Sequence, residues 1–399
     1  MILFGNLLLA DDSGKCHIEV GTVRVADGMI DEVNLGDRPK HFDHGGPTSL
    51  IAPGFIDAHC HLPQFDLIGA HGMPLLRWLS DVTFPSEMKW ADVDYARSMT
   101  RRVIDQLLSV GTTGIATYAT VHHESARAAI EEVSASGLRG VVGQVLMDRE
   151  APPALCLPAQ QLLDEAAALQ REFPSGNRVA AAITPRFAIS CSEPLLSGAG
   201  AIAAETGATI QTHLAETVQE CERVSELFGG TPYVDVYRQC GLLTERSLLG
   251  HGIHLHPADR DGLRRSESTV VHCPTANTFL RSGAMSRDAM IQSGVKLAVG
   301  SDVGAGYERS MVRVARAMIE AASSLGPRFP STAEAWYAIT AGNADSLGWT
   351  DAGRIAVGAS ADLLVINPTV SWLGGAADPL SMLMFAWDDR WLKTTLLAR

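Results

Sequence analysis

The sequence predicts an α/β chain: a closed (β/α)8 barrel of the TIM type, with a small β-sandwich domain built from both termini. Three observations lead there. Eight apolar runs of strand length alternate with stretches of helical period; residues able to do chemistry fall at the carboxyl ends of those runs; and both ends of the chain read as short strands. Near-continuous apolar strands alternating with helices imply a parallel sheet covered on its outer side, and eight such units imply closure.

Residues 1–52 form the first half of the small domain, with short strands broken by the turn signals Asp11-Asp12-Ser13-Gly14 and Asp27-Gly28. The barrel is expected over 53–352. Its first strand is the β-favouring approach Ser49-Leu50-Ile51-Ala52-Pro53-Gly54-Phe55-Ile56-Asp57-Ala58, which closes on His59. The other seven strands are expected in the runs 114–118, 140–146, 179–184, 209–212, 247–250, 269–271 and 295–300. Ala-, Glu-, Arg- and Leu-rich stretches between them, such as 124–136, 158–173 and 217–228, carry a helical period. After a helical stretch over 332–347, the strand-rich pattern resumes, and 353–399 supplies the second half of the small domain.

Composition excludes several classes. A hydrophobic content of 46% without an apolar run near twenty residues leaves no membrane span. A formal charge of −13 without clustered Lys and Arg opposes nucleic-acid binding. Seven cysteines without paired spacing suggest reduced thiols and a cytoplasmic setting. The apolar residues 1–10 lack a basic lead and read as a strand rather than a signal peptide. A small-molecule partner is expected, and a homodimer.

The rim of the barrel carries the chemistry. His59 and His61 close strand one, and a period of two aims both at one face while Cys60 points away. Spacing alone is weak warrant, because 13 histidines in 399 residues give about 0.4 His-x-His pairs by accident, and His254-Leu255-His256 reads as such an accident. Position separates the two. His213 closes strand five, His251 strand six and Asp302 strand eight, while Arg186 follows strand four. His59, His61, His213 and Asp302 can fill the first shell of one Zn2+, with Fe2+ the other candidate, leaving a position open for water. Asp302 can accept a proton from that water, and His251 can orient it. Glu216 stands three residues past His213, one helical turn on, placed for proton delivery. Strand four ends in Thr184-Pro185-Arg186 without the lysine that bridges two metals in binuclear barrel hydrolases, so one metal per chain is the expected count.

These residues resemble a known family. Residues 55–64 (FIDAHCHLPQ), Trp78-Leu79, Thr83-Phe84-Pro85-Ser86-Glu87, Met147-Asp148-Arg149, Thr184-Pro185-Arg186-Phe187-Ala188, Thr212-His213-Leu214-Ala215-Glu216, His272-Cys273-Pro274-Thr275-Ala276-Asn277 and residues 301–306 (SDVGAG) are similar to the amidohydrolase superfamily and, within it, to guanine deaminases. The resemblance covers roughly residues 50–360 and implies hydrolytic deamination of guanine to xanthine and ammonia. Metal-activated water would attack C2, Glu216 would protonate N3, and Asp302 would return a proton to the leaving ammonia. It also implies that Gln64, Arg186 and Phe187 hold the purine, and it makes Trp78 and Phe84 candidates for a lid. The metal residues are common to the superfamily, so a pterin, a triazine or a cytosine-like ring remains the alternative substrate.

Overall fold

The computed structural model describes residues 1–36 and 38–398. Its fourteen strands are β1 (Ile2–Ala10), β2 (Cys16–Ala26), β3 (Met29–Leu35), β4 (His44–Pro53), β5 (Phe55–His61), β6 (Thr112–Tyr118), β7 (Arg139–Leu146), β8 (Val179–Pro185), β9 (Ile210–Leu214), β10 (Ser247–His251), β11 (Thr269–His272), β12 (Lys296–Val299), β13 (Leu363–Ile366) and β14 (Leu392–Leu396). Strands β5 to β12 form one parallel sheet in sequence order, each separated from the next by helical segments. This is the (β/α)8 barrel.

The barrel strands are apolar throughout because both faces are covered: every residue of β5, β6 and β8 is buried. The two edge strands meet at a seam. Asp302 N–H donates to the His59 carbonyl at 2.8 Å and His61 N–H to the Val303 carbonyl at 2.9 Å. Lower in the barrel the buried Asn343 side chain donates to the carbonyls of Ile56 and Val299, both at 2.7 Å, and accepts from Val299 N–H. One amide thus satisfies the edge groups of both strands, which would otherwise lie buried without partners.

The small domain is a six-stranded sheet in the order β14-β13-β4-β1-β2-β3, in which only β1 and β4 run parallel. Its hairpin between β2 and β3 turns on Asp27 and Gly28, both at positive φ (50° and 74°), as a two-residue turn with the right twist requires. Alternation sends Leu7, Ile51 and Leu363 to one face and Leu8, Leu50 and Leu364 to the other. The second face packs on Val314 and Met318 of the helix Met311–Leu325, Trp336 of the helix Thr332–Tyr337 and Leu383 of the helix Pro379–Phe385, with Trp372 and Trp387 from irregular segments, so the layer opposite the sheet is mainly helical where a sandwich would have strands.

The expected first strand is two strands. Residues 50–53 pair within the small sheet as the end of β4, and the barrel strand begins only at Phe55. Residues 49–53 of β4 and all of β5 are buried, so the apolar run gives no sign of the change of sheet at Gly54. Among the described residues no helix is long and apolar enough to cross a membrane, and all seven cysteines are free.

Candidate active site

The carboxyl ends of the barrel strands surround a cavity lined by His61, Gln64, Trp78, Arg186, Phe187, His213, Glu216, His251 and Asp302, among others. Of the residues predicted to hold the metal, move protons or bind the ring, all line this wall except His59, whose ring centroid is 4.9 Å from that of His213. Two glycines make room for that ring. A Cβ at Gly250 would lie 2.9 Å from His59 Cε1, and one at Gly300 would lie 2.6 Å from His59 Cβ.

The ligand atoms of His59, His61, His213 and Asp302 all lie within 4.8 Å of one another. His59 Nε2 and His61 Nε2 approach Asp302 Oδ1 at 3.3 and 3.2 Å, and His213 Nε2 is 3.2 Å from His61 Nε2. Burial holds the imidazoles neutral: it pushes His61 down to about 3, lowers His59, and with the neighbouring rings takes His213 well below its ordinary value. Burial opposes ionisation of Asp302, but the facing histidines outweigh it and keep the carboxyl well below the usual range. His213 directs Nδ1 to the Arg186 carbonyl at 2.7 Å, which makes Nδ1 the protonated nitrogen and turns the Nε2 lone pair inward. His59 Nε2 is buried without a hydrogen-bond partner in spite of its approach to Asp302. Three neutral imidazoles, one carboxylate and an orphaned inward nitrogen fit a divalent cation.

Asp57 braces this set. Its Oδ1 accepts from His59 N–H at 3.2 Å and Ser301 N–H at 2.9 Å, joining the ends of β5 and the segment after β12. Two of the site residues, His251 (φ 72°) and Asp302 (φ 50°), occupy the left-handed backbone region, which costs energy in a residue with a Cβ.

Glu216 reaches the cavity, though by a different route from the helical turn expected. The helix begins only at Val218, and Ala215, at φ 48°, swings the chain so that Glu216 points back inward. Thr217 and Glu220 then form a capping box. Burial pushes the Glu216 carboxyl up to about 7, with Asp302 and Glu220 adding to the rise against the pull of His251. Its Oε1 accepts from Ser282 Oγ at 2.7 Å, and its Oε2 lies 3.5 Å from His251 Nε2. His251 Nδ1 meets Asn277 Oδ1 at 2.9 Å, an acceptor that fixes the proton on Nδ1. Burial opposes charging of His251, but Glu216, Asp302 and Asn277 outweigh it and raise its pKa.

Ser282, Asn277 and Glu220 are the supporting residues that sequence reasoning did not single out. Asn277 lay within a quoted motif, and Glu220 carried a legible capping signal. Ser282 carried none, since it lies 66 residues from its partner. His254, set aside with His256, holds the Ser282 carbonyl at 2.8 Å and so braces that loop. His272 is buried, lies outside the cavity wall, and is pushed down to about 3 by burial. Trp78 lines the cavity; Phe84 does not, but lies under Arg186, its ring 5.6 Å from the guanidinium carbon.

The chain belongs to the amidohydrolase family, whose sequence profile matches residues 50–398. It is 34% identical over 392 residues to guanine deaminase of Escherichia coli strain K12, covering 94% of this chain and 89% of that protein. With guanine deaminase of Dictyostelium discoideum it shares 34% over 333 residues, covering 81% and 74%. A solved structure of guanine deaminase from C. acetobutylicum with guanine bound in the active site superposes with a TM-score of 0.92 at 30% identity, covering 100% of this chain and 98% of that one.

Proposed function

We propose that this protein hydrolyses guanine to xanthine and ammonia, using one divalent metal ion held by His59, His61, His213 and Asp302, with zinc the expected ion and iron(II) the alternative. The observation that supports this reading is one cavity lined by Gln64, Arg186, Phe187 and Glu216 together with His61, His213 and Asp302 of the four-donor set. Its support is similarity over nearly the whole chain to guanine deaminases. The absence of a lysine after β8 favours one metal over two. Free thiols agree with a reducing, cytoplasmic setting, and a homodimer stays with the proposal as its expected assembly.

When bound, the ion supplies a water molecule acidic enough to act as a nucleophile near neutral pH. The residues do the rest. Arg186 and Gln64 offer polar contacts that orient the ring edge, and Phe187 offers an aromatic face, so that C2 meets the attacking oxygen. Asp302 is a carboxylate and takes the proton that water loses. Glu216, with its carboxyl pushed up to about 7, retains a proton near neutrality and passes it to N3. His251, fixed by Asn277, directs Nε2 toward both carboxylates, 3.5 Å from Glu216 and 3.8 Å from Asp302, and orients the attacking water. Asp302 returns its proton to the departing amine; as the C2–N bond breaks and the C2 carbonyl forms, Glu216 takes up the proton of the C2 hydroxyl and regains its acid form. Leu75, Trp78 and Leu79 on the 75–87 segment give the cavity an apolar side that restricts water.

The test is incubation of metal-analysed protein with guanine, following xanthine and ammonia together. Equimolar formation of both supports the proposal, and no ammonia from metal-loaded protein would end it.

A further inference from the structure

Behind the cavity wall lies Glu87, which is 2% exposed and does not line the cavity. Both its oxygens accept from Arg186 Nη1, at 2.7 and 2.8 Å, and its Oε1 also accepts from Gln64 Nε2 at 3.2 Å. Arg186 and Glu87 are each only 3% exposed in their side chains. No other arginine–carboxylate pair among the described residues is buried on both sides to that degree. The segment carrying Glu87 is pinned in place, since Ser86 Oγ donates to the Pro63 carbonyl at 3.1 Å, beside Gln64.

We propose that Glu87 is a positioning residue that sets the hydrogen-bond polarity of the substrate wall, so that the cavity accepts a lactam edge and rejects an amidine edge. An ionised carboxylate can only accept. Facing Gln64, it therefore holds that amide with its NH2 group turned toward Glu87 and leaves Oε1, which takes no hydrogen bond from any described residue, as the acceptor toward the cavity. Facing Arg186, it occupies Nη1 and leaves the remaining guanidinium N–H groups as donors on the same wall. An acceptor beside a donor is complementary to a ring edge with N–H beside C=O. The edge with a bare ring nitrogen beside an exocyclic NH2 presents the reverse order, acceptor to acceptor and donor to donor. Without Glu87 the Gln64 amide could turn over and the discrimination would relax. This inference rests on the guanine reading, whose N1–H and C6 carbonyl form such a lactam.

The probe is 2,6-diaminopurine, which keeps the amine at C2 and replaces the lactam with an amidine. The unmodified, metal-loaded protein should prefer guanine over 2,6-diaminopurine in kcat/KM by at least about 100-fold, a mismatch of buried donors and acceptors being costly. Glu87→Gln, which can donate as well as accept, should narrow that preference at least tenfold. Glu87→Asp keeps an acceptor-only charge and should retain most of the preference even if both rates fall. A merely structural role would lower both substrates together and leave the ratio unmoved, and that result in Glu87→Gln overturns the proposal. If Glu87→Gln does not fold, the unmodified ratio still decides, since equal use of the two purines contradicts the stated wall polarity. Failure to deaminate guanine at all would refute the function itself, a different outcome from deaminating both alike.

Discussion

Glu216→Gln isolates proton transfer from everything else in the cavity. The amide keeps the shape of the side chain, and its oxygen still accepts from Ser282 Oγ, which now lies 2.7 Å from Oε1. No metal donor is touched. What disappears is a carboxyl raised by burial from 4.5 to about 7. At pH 7 a carboxyl with the ordinary value would carry a proton about 0.3% of the time, against about half the time here, so the site concentrates its proton donor by roughly 150-fold. General acid catalysis of this kind contributes about 10²- to 10⁴-fold, or roughly 3–5 kcal/mol of barrier. The variant should therefore retain metal content and thermal stability while kcat for guanine falls at least about 100-fold. Steady-state kinetics with elemental analysis and a thermal melt on the same preparation make the comparison. A variant with unchanged metal and kcat within tenfold of the unmodified protein would show that another group protonates the ring.

Arg186→Ala should weaken guanine turnover and also destabilise the fold by about 3–5 kcal/mol in denaturant unfolding, because it strands the buried charge of Glu87; the double variant with Glu87→Ala should recover part of that loss, and no recovery would argue against the pair. Asp57→Ala strands the His59 and Ser301 amides, each worth about 1–3 kcal/mol when buried unpaired, and should lower both the unfolding midpoint and the metal retained after dialysis; unchanged values for both would remove its bracing role. Elemental analysis should find about one zinc or iron per chain, lost in His59→Ala, and two per chain would contradict the mononuclear site. Asn277→Ala frees the His251 tautomer and should reduce kcat by about tenfold or more with little change in metal content.

The barrel was legible because its strands are buried on both faces and so read as unbroken apolar runs, and because ligands at strand ends are tied to fixed positions in that grammar. His59, His61, His213 and Asp302 converge as their places in the sequence imply. The rest depended on long-range contacts that leave no local mark. Asn343 joins the barrel edges across 287 residues of chain, yet in sequence it is an ordinary polar residue in a helix. Glu216 lines the cavity through a left-handed Ala215 and not through the expected helical turn, and no propensity points an alanine to that conformation. Ser282 and Glu87 act on residues 66 and 99 positions away, so only the folded chain displays them. The layer facing the terminal sheet was legible only in part: Trp336 lies in the stretch read as helical, whereas Trp372 and Trp387 lie in irregular segments without a helical period.

If this cavity deaminates a purine at C2 whose ring carbonyl faces Arg186, kcat/KM for guanine, adenine, cytosine and a pterin, measured side by side on one metal-analysed preparation, will show it. Guanine should lead. Adenine should be poor, because it lacks the ring carbonyl and its amine sits at C6, away from the attacking oxygen when the ring is held for attack at C2. Preference for cytosine or the pterin would contradict the account while leaving the barrel and the four-donor site in place.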